Sequence, residues 1–185
     1  MLPNFTAQRI AIGDSELHVR TGGSGPPLLL LHGYPQTGAM WHQVAPKLAE
    51  HYSLVIPDLP GYGQSQGPAC DDAFLAYSKR TTAQTMADLM TNLGHDKFRL
   101  AGHDRGARVA FRLALDHAER VQKYAAIDIV PTLDQWAKMN ADRAISGYHW
   151  QFLAVPAPLP EKMIGSDPDM YLAHLLRRWA GNFDA

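Results

Sequence analysis

The chain has 185 residues, enough for one domain, or for one domain and part of another. Apolar residues make up 46% of it and charged residues 19%, an ordinary balance for a soluble globular protein. Its net charge of -1 gives no electrostatic reason to expect nucleic acid or an anionic membrane as partner.

The start, Met1 to Thr6, carries no basic segment and no apolar run, so it does not read as a secretory signal. Phe5 to Ile12 and Glu16 to Thr21 alternate by two around Gly13-Asp14, which predicts a hairpin. After a glycine-rich turn comes Leu28 to Leu31, a continuous run of four leucines. It is far too short to span a bilayer and suits a strand buried on both faces. It ends in His32-Gly33-Tyr34-Pro35. Trp41, Val44, Leu48 and Ala49 recur at helical spacing, which predicts a helix over 39–50. Ser53 to Pro57 reads as the next strand and runs into Asp58-Leu59-Pro60-Gly61-Tyr62-Gly63-Gln64-Ser65. The polar stretch that follows holds Cys70, which reads as a loop residue. As the single cysteine it excludes an internal disulfide and suits a reducing cytoplasm. Met86, Leu89, Met90 and Leu93 then form a helical stripe that Gly94 stops.

Phe98 to Ala101 reads as a strand, and Val109, Ala110 and Leu113 as the buried stripe of the helix after it. Between them lies Gly102-His103-Asp104-Arg105-Gly106, the glycine-x-nucleophile-x-glycine form of a nucleophile elbow. A strand that reverses sharply into a helix strains its middle residue, and its neighbours must lack side chains. The residue at the tip is normally Ser; here it is Asp104. A carboxylate needs no base before it attacks, and its natural electrophile is a saturated carbon bearing a leaving group. The plainer alternative is a strand-to-helix joint with Asp104 as an N-cap. Val121 to Val130 reads as a further strand, interrupted by Asp128 and stopped by Pro131. Strands alternating with helices predict an α/β fold, a mostly parallel sheet covered on both faces. From Thr132 the pattern turns helical, over 133–146 and 169–179, around a proline-rich loop at 155–160.

Three strand ends in this order, His32-Gly33-Tyr34-Pro35, Asp58 to Ser65 and Gly102 to Gly106, resemble the α/β-hydrolase fold. The Asp nucleophile is similar to that of the haloalkane dehalogenase, epoxide hydrolase and haloacetate dehalogenase branch. Arg105, Arg108, the stretch Ala126 to Thr132 and the stretch Tyr148 to Leu153 most resemble the fluoroacetate dehalogenases. The resemblance implies hydrolysis of a haloacetate to glycolate through an aspartyl ester. Asp104 would be the nucleophile, and Asp128 the acid that orients the catalytic base. Backbone N–H groups of Tyr34 and Arg105 would form the oxyanion hole. Arg105 and Arg108 would bind the substrate carboxylate, and His149 and Trp150 would donate to the departing halide. A homodimer, no cofactor and no metal are implied as well. Residues 1–131 would be the hydrolase core through its sixth strand, and 132–185 part of a helical cap.

The family's last core strands and its base histidine lie beyond residue 185. The resemblance therefore implies a C-terminally truncated piece that could alkylate Asp104 without turning over. The departures are Tyr34 where Phe is usual, Ala107 for Gly, and Pro60 and Gln64 for Arg and Asp.

The chemistry is consistent with these residue types. Two negative charges about 4 Å apart at an effective dielectric near 20 repel by about 4 kcal/mol. Bringing a carboxylate substrate beside Asp104 therefore needs cations, and a bidentate guanidinium both neutralises and aims it. Arg105 and Arg108, three apart at a helix start, can share one face. Fluoride is a poor leaving group that needs donors such as an indole or imidazole N–H. The plainer readings are two solvated arginines, a core Trp150, a surface His149 and an Asp128 that caps the next segment. Two other functions stay open: an epoxide hydrolase using the same Asp104 with cap tyrosines Tyr148 and Tyr171, and a catalytically incomplete carboxylate binder. No metal-ligand spacing and no dinucleotide fingerprint occur.

Overall fold

The structure is a computed structural model that describes residues 2, 4–70 and 73–179. It divides into two compact units, Met1–Pro131 and Thr132–Ala185.

The first unit is built on six strands. β1 (Thr6–Ile12) and β2 (Ser15–Gly22) form an antiparallel hairpin, closed by Gly13 at a φ of 54°. β3 (Pro27–Leu31), β4 (Ser53–Pro57), β5 (Phe98–His103) and β6 (Val121–Ile127) follow. The sheet order is β1-β2-β4-β3-β5-β6. β3 lies parallel to β4 and to β5, and β5 parallel to β6; β2 meets β4 antiparallel. The connecting helices are α1 (Ala45–Leu48), α2 (Lys79–Asn92) and α3 (Arg105–Asp116).

Alternation along β3 sorts the core into two layers. Leu29 and Leu31 face a cluster with Met86, Leu89 and Met90 of α2 and Val109, Ala110 and Leu113 of α3. Leu28 and Leu30 face the other way, toward Trp41, Ala45, Leu54 and Ile56. Both layers are closed to water, so the apolar run of β3 is a strand buried on two faces.

Several elements differ from the periodicity. The helix expected over 39–50 is a 3-10 helix at Gly38–Gln43 and a single turn of α1. Pro46 has no N–H to donate and cannot lie in a helix interior, so a new helix starts after Val44 with Pro46 in its first turn. Trp41 is buried as the spacing predicts, but Val44 is 45% exposed. β6 ends at Ile127, because Asp128 takes a φ of 52° that extended backbone does not allow.

The second unit consists of α4 (Thr132–Ala137), α5 (Ala141–Ser146), α6 (His149–Phe152), α7 (Leu159–Ser166) and α8 (Pro168–Trp179). The single helix expected over 133–146 is split, because the Asn140 side chain caps the Arg143 N–H and starts α5 afresh. The proline-rich loop gives way to α7, which carries Pro160 in its first turn, where a missing N–H costs nothing. No described helix is long and apolar enough to cross a membrane.

Candidate active site

Asp104 sits between the end of β5 and the start of α3, with φ 48° and ψ -118°. A non-glycine residue there is strained and must be held by its surroundings. Three constraints hold it. The Asp104 N–H donates to the Ile127 carbonyl on the neighbouring strand, at 3.2 Å. Its own carbonyl accepts from the Ala107 and Arg108 N–H groups, which fixes the first turn of α3. Close packing does the rest. A Cβ at Gly106 would run into the His32 carbonyl oxygen, and one at Gly33 would lie 2.5 Å from the Asp104 Cβ.

The N-cap alternative fails. Asp104 occupies the N-cap position, but its side chain makes no capping hydrogen bond. Instead, one carboxylate oxygen accepts from the Tyr34 N–H at 2.8 Å and the other from Arg108 Nη1 at 3.2 Å. Tyr34 is brought there by β3, which runs beside β5 in parallel register from Leu28 opposite Arg99 to Leu31 opposite Gly102. The Arg105 N–H is the first of α3 and has no intrahelical acceptor, as at every helix start.

Arg105 and Arg108 both lie in this cluster, as their spacing predicts, but their settings differ. Arg108 is paired with Asp104, its side chain 11% exposed. Burial lowers its proton affinity and Asp104 opposes that effect. The Arg105 guanidinium stands over the Tyr34 ring at 5.0 Å, a cation–π contact, and against the Tyr62 phenol. Burial pushes the Tyr62 pKa up, while Arg105 pulls it down.

Two members of the cluster lie outside the motifs' expected roles. Tyr62 comes from the glycine-rich loop after β4. Lys79 comes from the first turn of α2, and its pKa is pushed down to about 8. Burial is the main cause, Arg105 and Arg108 add to it, and Asp104 opposes. The one sequence signal for Lys79 is a cation in the first turn of a helix, where the macrodipole disfavours it.

The loops that carry the site are braced from below. His32 is fully buried; the Leu59 N–H donates to its Nε2 at 2.8 Å, so Nδ1 carries the proton that faces the Gly33 carbonyl at 3.0 Å. Burial lowers its pKa. Asp58, also buried, accepts from the Gly38 N–H, the Gln64 N–H and Arg20 Nη1. The loop after β3 is thereby tied to the loop after β4.

Asp128 follows directly on Ile127, whose carbonyl receives the Asp104 N–H. It is exposed and makes no ion pair among the described residues. His149 and Trp150 belong to the second unit, side by side on α6. Their rings turn to different partners: His149 to Trp179 at 4.7 Å and Trp150 to Trp136 at 5.5 Å, both edge to face. Tyr148 packs on His174 and Phe152, and Phe152 on Tyr171. No group of three His, Cys, Asp or Glu side chains among the described residues could hold a metal ion.

A strained carboxylate at a strand-to-helix kink, beside a parallel strand that offers a backbone N–H, matches one large enzyme fold. Residues 26–184 match the family model of the alpha/beta hydrolase fold, and the chain belongs to that family. It is 44% identical to a fluoroacetate dehalogenase from Burkholderia sp over 179 residues, 97% of this chain and 59% of the relative. It is 38% identical to a soluble epoxide hydrolase from Corynebacterium sp over 72% of this chain and 45% of the relative. Among solved structures, an alpha/beta hydrolase from Nostoc sp PCC 7120 superposes with a TM-score of 0.96 at 45% identity, covering 99% of this chain and 63% of that one. The chain thus spans about three fifths of the length of the dehalogenase it matches.

Proposed function

We propose that this chain carries the nucleophile and carboxylate-binding part of an enzyme that hydrolyses haloacetates to glycolate. The observation that carries the reading is the Asp104 carboxylate at the elbow, fixed by the Tyr34 N–H and Arg108 within a group of cations. An Asp oxygen forms a bond to the methylene carbon as the carbon–halogen bond breaks, and the halide leaves with the electron pair. Arg105 and Arg108 hold the substrate carboxylate and offset its repulsion by Asp104. Water then attacks the ester carbonyl, whose oxyanion is received by the Tyr34 and Arg105 N–H groups. That attack returns Asp104 to its carboxylate and releases glycolate. Asp128 orients the base that activates the water. The similarity to a fluoroacetate dehalogenase over nearly the whole chain supports this choice of substrate.

The similarity to a soluble epoxide hydrolase favours a second reading, in which Asp104 opens an epoxide. The arginine cluster has no task in that reaction. The test is to incubate the protein with fluoroacetate, chloroacetate and styrene oxide in parallel. Halide release from the haloacetates, at least one equivalent per protein, with no diol from styrene oxide, is expected. Diol formation without halide release would replace the first reading by the second.

A further inference from the structure

We infer that the ring of Tyr34 positions Arg105: its face keeps the guanidinium at the elbow with its charge uncancelled, ready for the ligand's carboxylate, while the N–H of the same residue holds Asp104. The inference rests on the carboxylate reading proposed above and adds a side-chain role to a residue of which that reading uses only the backbone.

Tyr34 can serve both groups because its backbone is fixed independently of its ring. The Tyr34 N–H donates to Asp104 at 2.8 Å. The Gly33 carbonyl before it accepts from the Gln36 N–H at 3.0 Å and faces His32 Nδ1 at the same distance. Gly33 lets this loop lie against the elbow, since a Cβ there would come 2.9 Å from an Asp104 carboxylate oxygen and 3.0 Å from His103 Nδ1. The side chain that leaves this pinned backbone meets Arg105, whose Cζ stands 5.0 Å over the ring centroid. That is inside the range of a cation–π contact. Arg105 opens α3, so the contact joins the loop after β3 to the helix after β5.

The two arginines of the elbow are held in different ways. Arg108 Nη1 lies 3.2 Å from an Asp104 oxygen, so its charge is already matched. Arg105 has no carboxylate within ion-pair distance among the described residues. It is half-buried against two rings, Tyr34 and Tyr62. An aromatic face attracts a cation through its quadrupole and leaves the net charge in place, whereas a carboxylate partner would cancel it. Arg120 shows the contrasting case. It lies 5.4 Å over the Phe98 ring, but its Nε, Nη1 and Nη2 donate to the carbonyls of Asp96, Ala87 and His95. That guanidinium is consumed in bracing the chain between α2 and β5. The Arg105 charge is held without being spent. A side chain held in advance also loses less rotamer freedom when an anion binds.

The probe is acetate, a carboxylate that cannot alkylate Asp104, added to the 185-residue chain and followed by amide and arginine Nε–H chemical shifts. The proteins compared are the wild type, Tyr34→Phe, Tyr34→Leu, Arg105→Gln and the double variant Tyr34→Leu/Arg105→Gln. Phe keeps the aromatic face and Leu removes it, and both keep the N–H of residue 34. Tyr34→Phe should bind acetate within about twofold of the wild type and Tyr34→Leu about fivefold more weakly, the scale of a cation–π contact. In the Arg105→Gln background Tyr34→Leu should cost nothing further, because the ring acts through Arg105. The Arg105 Nε–H proton should resonate upfield in the wild type and Tyr34→Phe, from the ring current, and move downfield in Tyr34→Leu. Wild-type affinity in Tyr34→Leu, an equal loss with and without Arg105, or an Arg105 resonance indifferent to the ring would overturn the role of Tyr34. If Tyr34→Leu binds like the wild type while Arg105→Gln binds weakly, the carboxylate reading stands without the ring. If acetate does not bind the wild type at all, the carboxylate reading fails and takes this inference with it.

Discussion

At Asp104 the backbone is held in a conformation that costs of the order of 1–3 kcal/mol for a residue with a side chain. The neighbouring strand, the first turn of α3 and the glycines at 33 and 106 supply that restraint together. His32 supports the same loops as a neutral ring. Its Nε2 must accept from the Leu59 N–H, which a protonated imidazole cannot do. Its pKa is lowered by burial, so below about pH 6.5 the unfolded chain takes up a proton that the folded chain refuses. Stability is therefore intact above that pH and falls as the pH drops. Unfolding free energies from denaturant titrations between about pH 7 and pH 5 should fall more steeply for the wild type than for His32→Gln, by up to about 1.4 kcal/mol per pH unit. Parallel slopes would show that His32 is not kept neutral. At this scale the site was only partly legible. Asp104, Arg105 and Arg108 stand in one motif, and their spacing alone puts them together. Lys79 and Tyr62 reach the same place through the packing of α2 and the loop after β4, which no local pattern encodes.

Among the elements, the sequence read well wherever apolar spacing and backbone chemistry agreed. β3, β5, α2 and α3 lie where the spacing places them, because their stripes meet a common core. The segment 39–50 misled, because Pro46 overrides a helical period that Trp41 and Val44 otherwise satisfy. The two residues should consequently differ in weight. Trp41→Ala should cost about 3–5 kcal/mol, the usual loss for a buried aromatic, and Val44→Ser less than about 0.5 kcal/mol. Chemical denaturation of both variants checks this; similar losses would mean that the unbroken helix is right after all. β6 is the outermost strand of the sheet among the described residues, and its residues from Gln122 to Ile127, Tyr124 included, are exposed. An exposed apolar edge invites pairing with another chain. Ile127→Lys should reduce concentration-dependent association of this 185-residue chain in light scattering. Unchanged association would place the sticky surface elsewhere.

At the scale of the whole molecule, the division near residue 131 separates two kinds of candidate residue. Asp104, Arg105, Arg108, Tyr34 and Asp128 belong to the first unit, His149 and Trp150 to the second. The change from alternating strands and helices to helices alone is visible in the sequence. The aromatic contacts of the second unit are not, because Trp136, His149, Trp150 and Trp179 are drawn together from three separate helices. Haloacetate hydrolysis by this route requires a covalent bond at Asp104, and peptide mapping by mass spectrometry after exposure to chloroacetate detects that bond. A carboxymethyl ester is expected on the peptide holding Asp104, trapped by rapid acid quench and absent from Asp104→Asn. A modified Asp104→Asn protein, or halide release with the label on some other side chain, would contradict it.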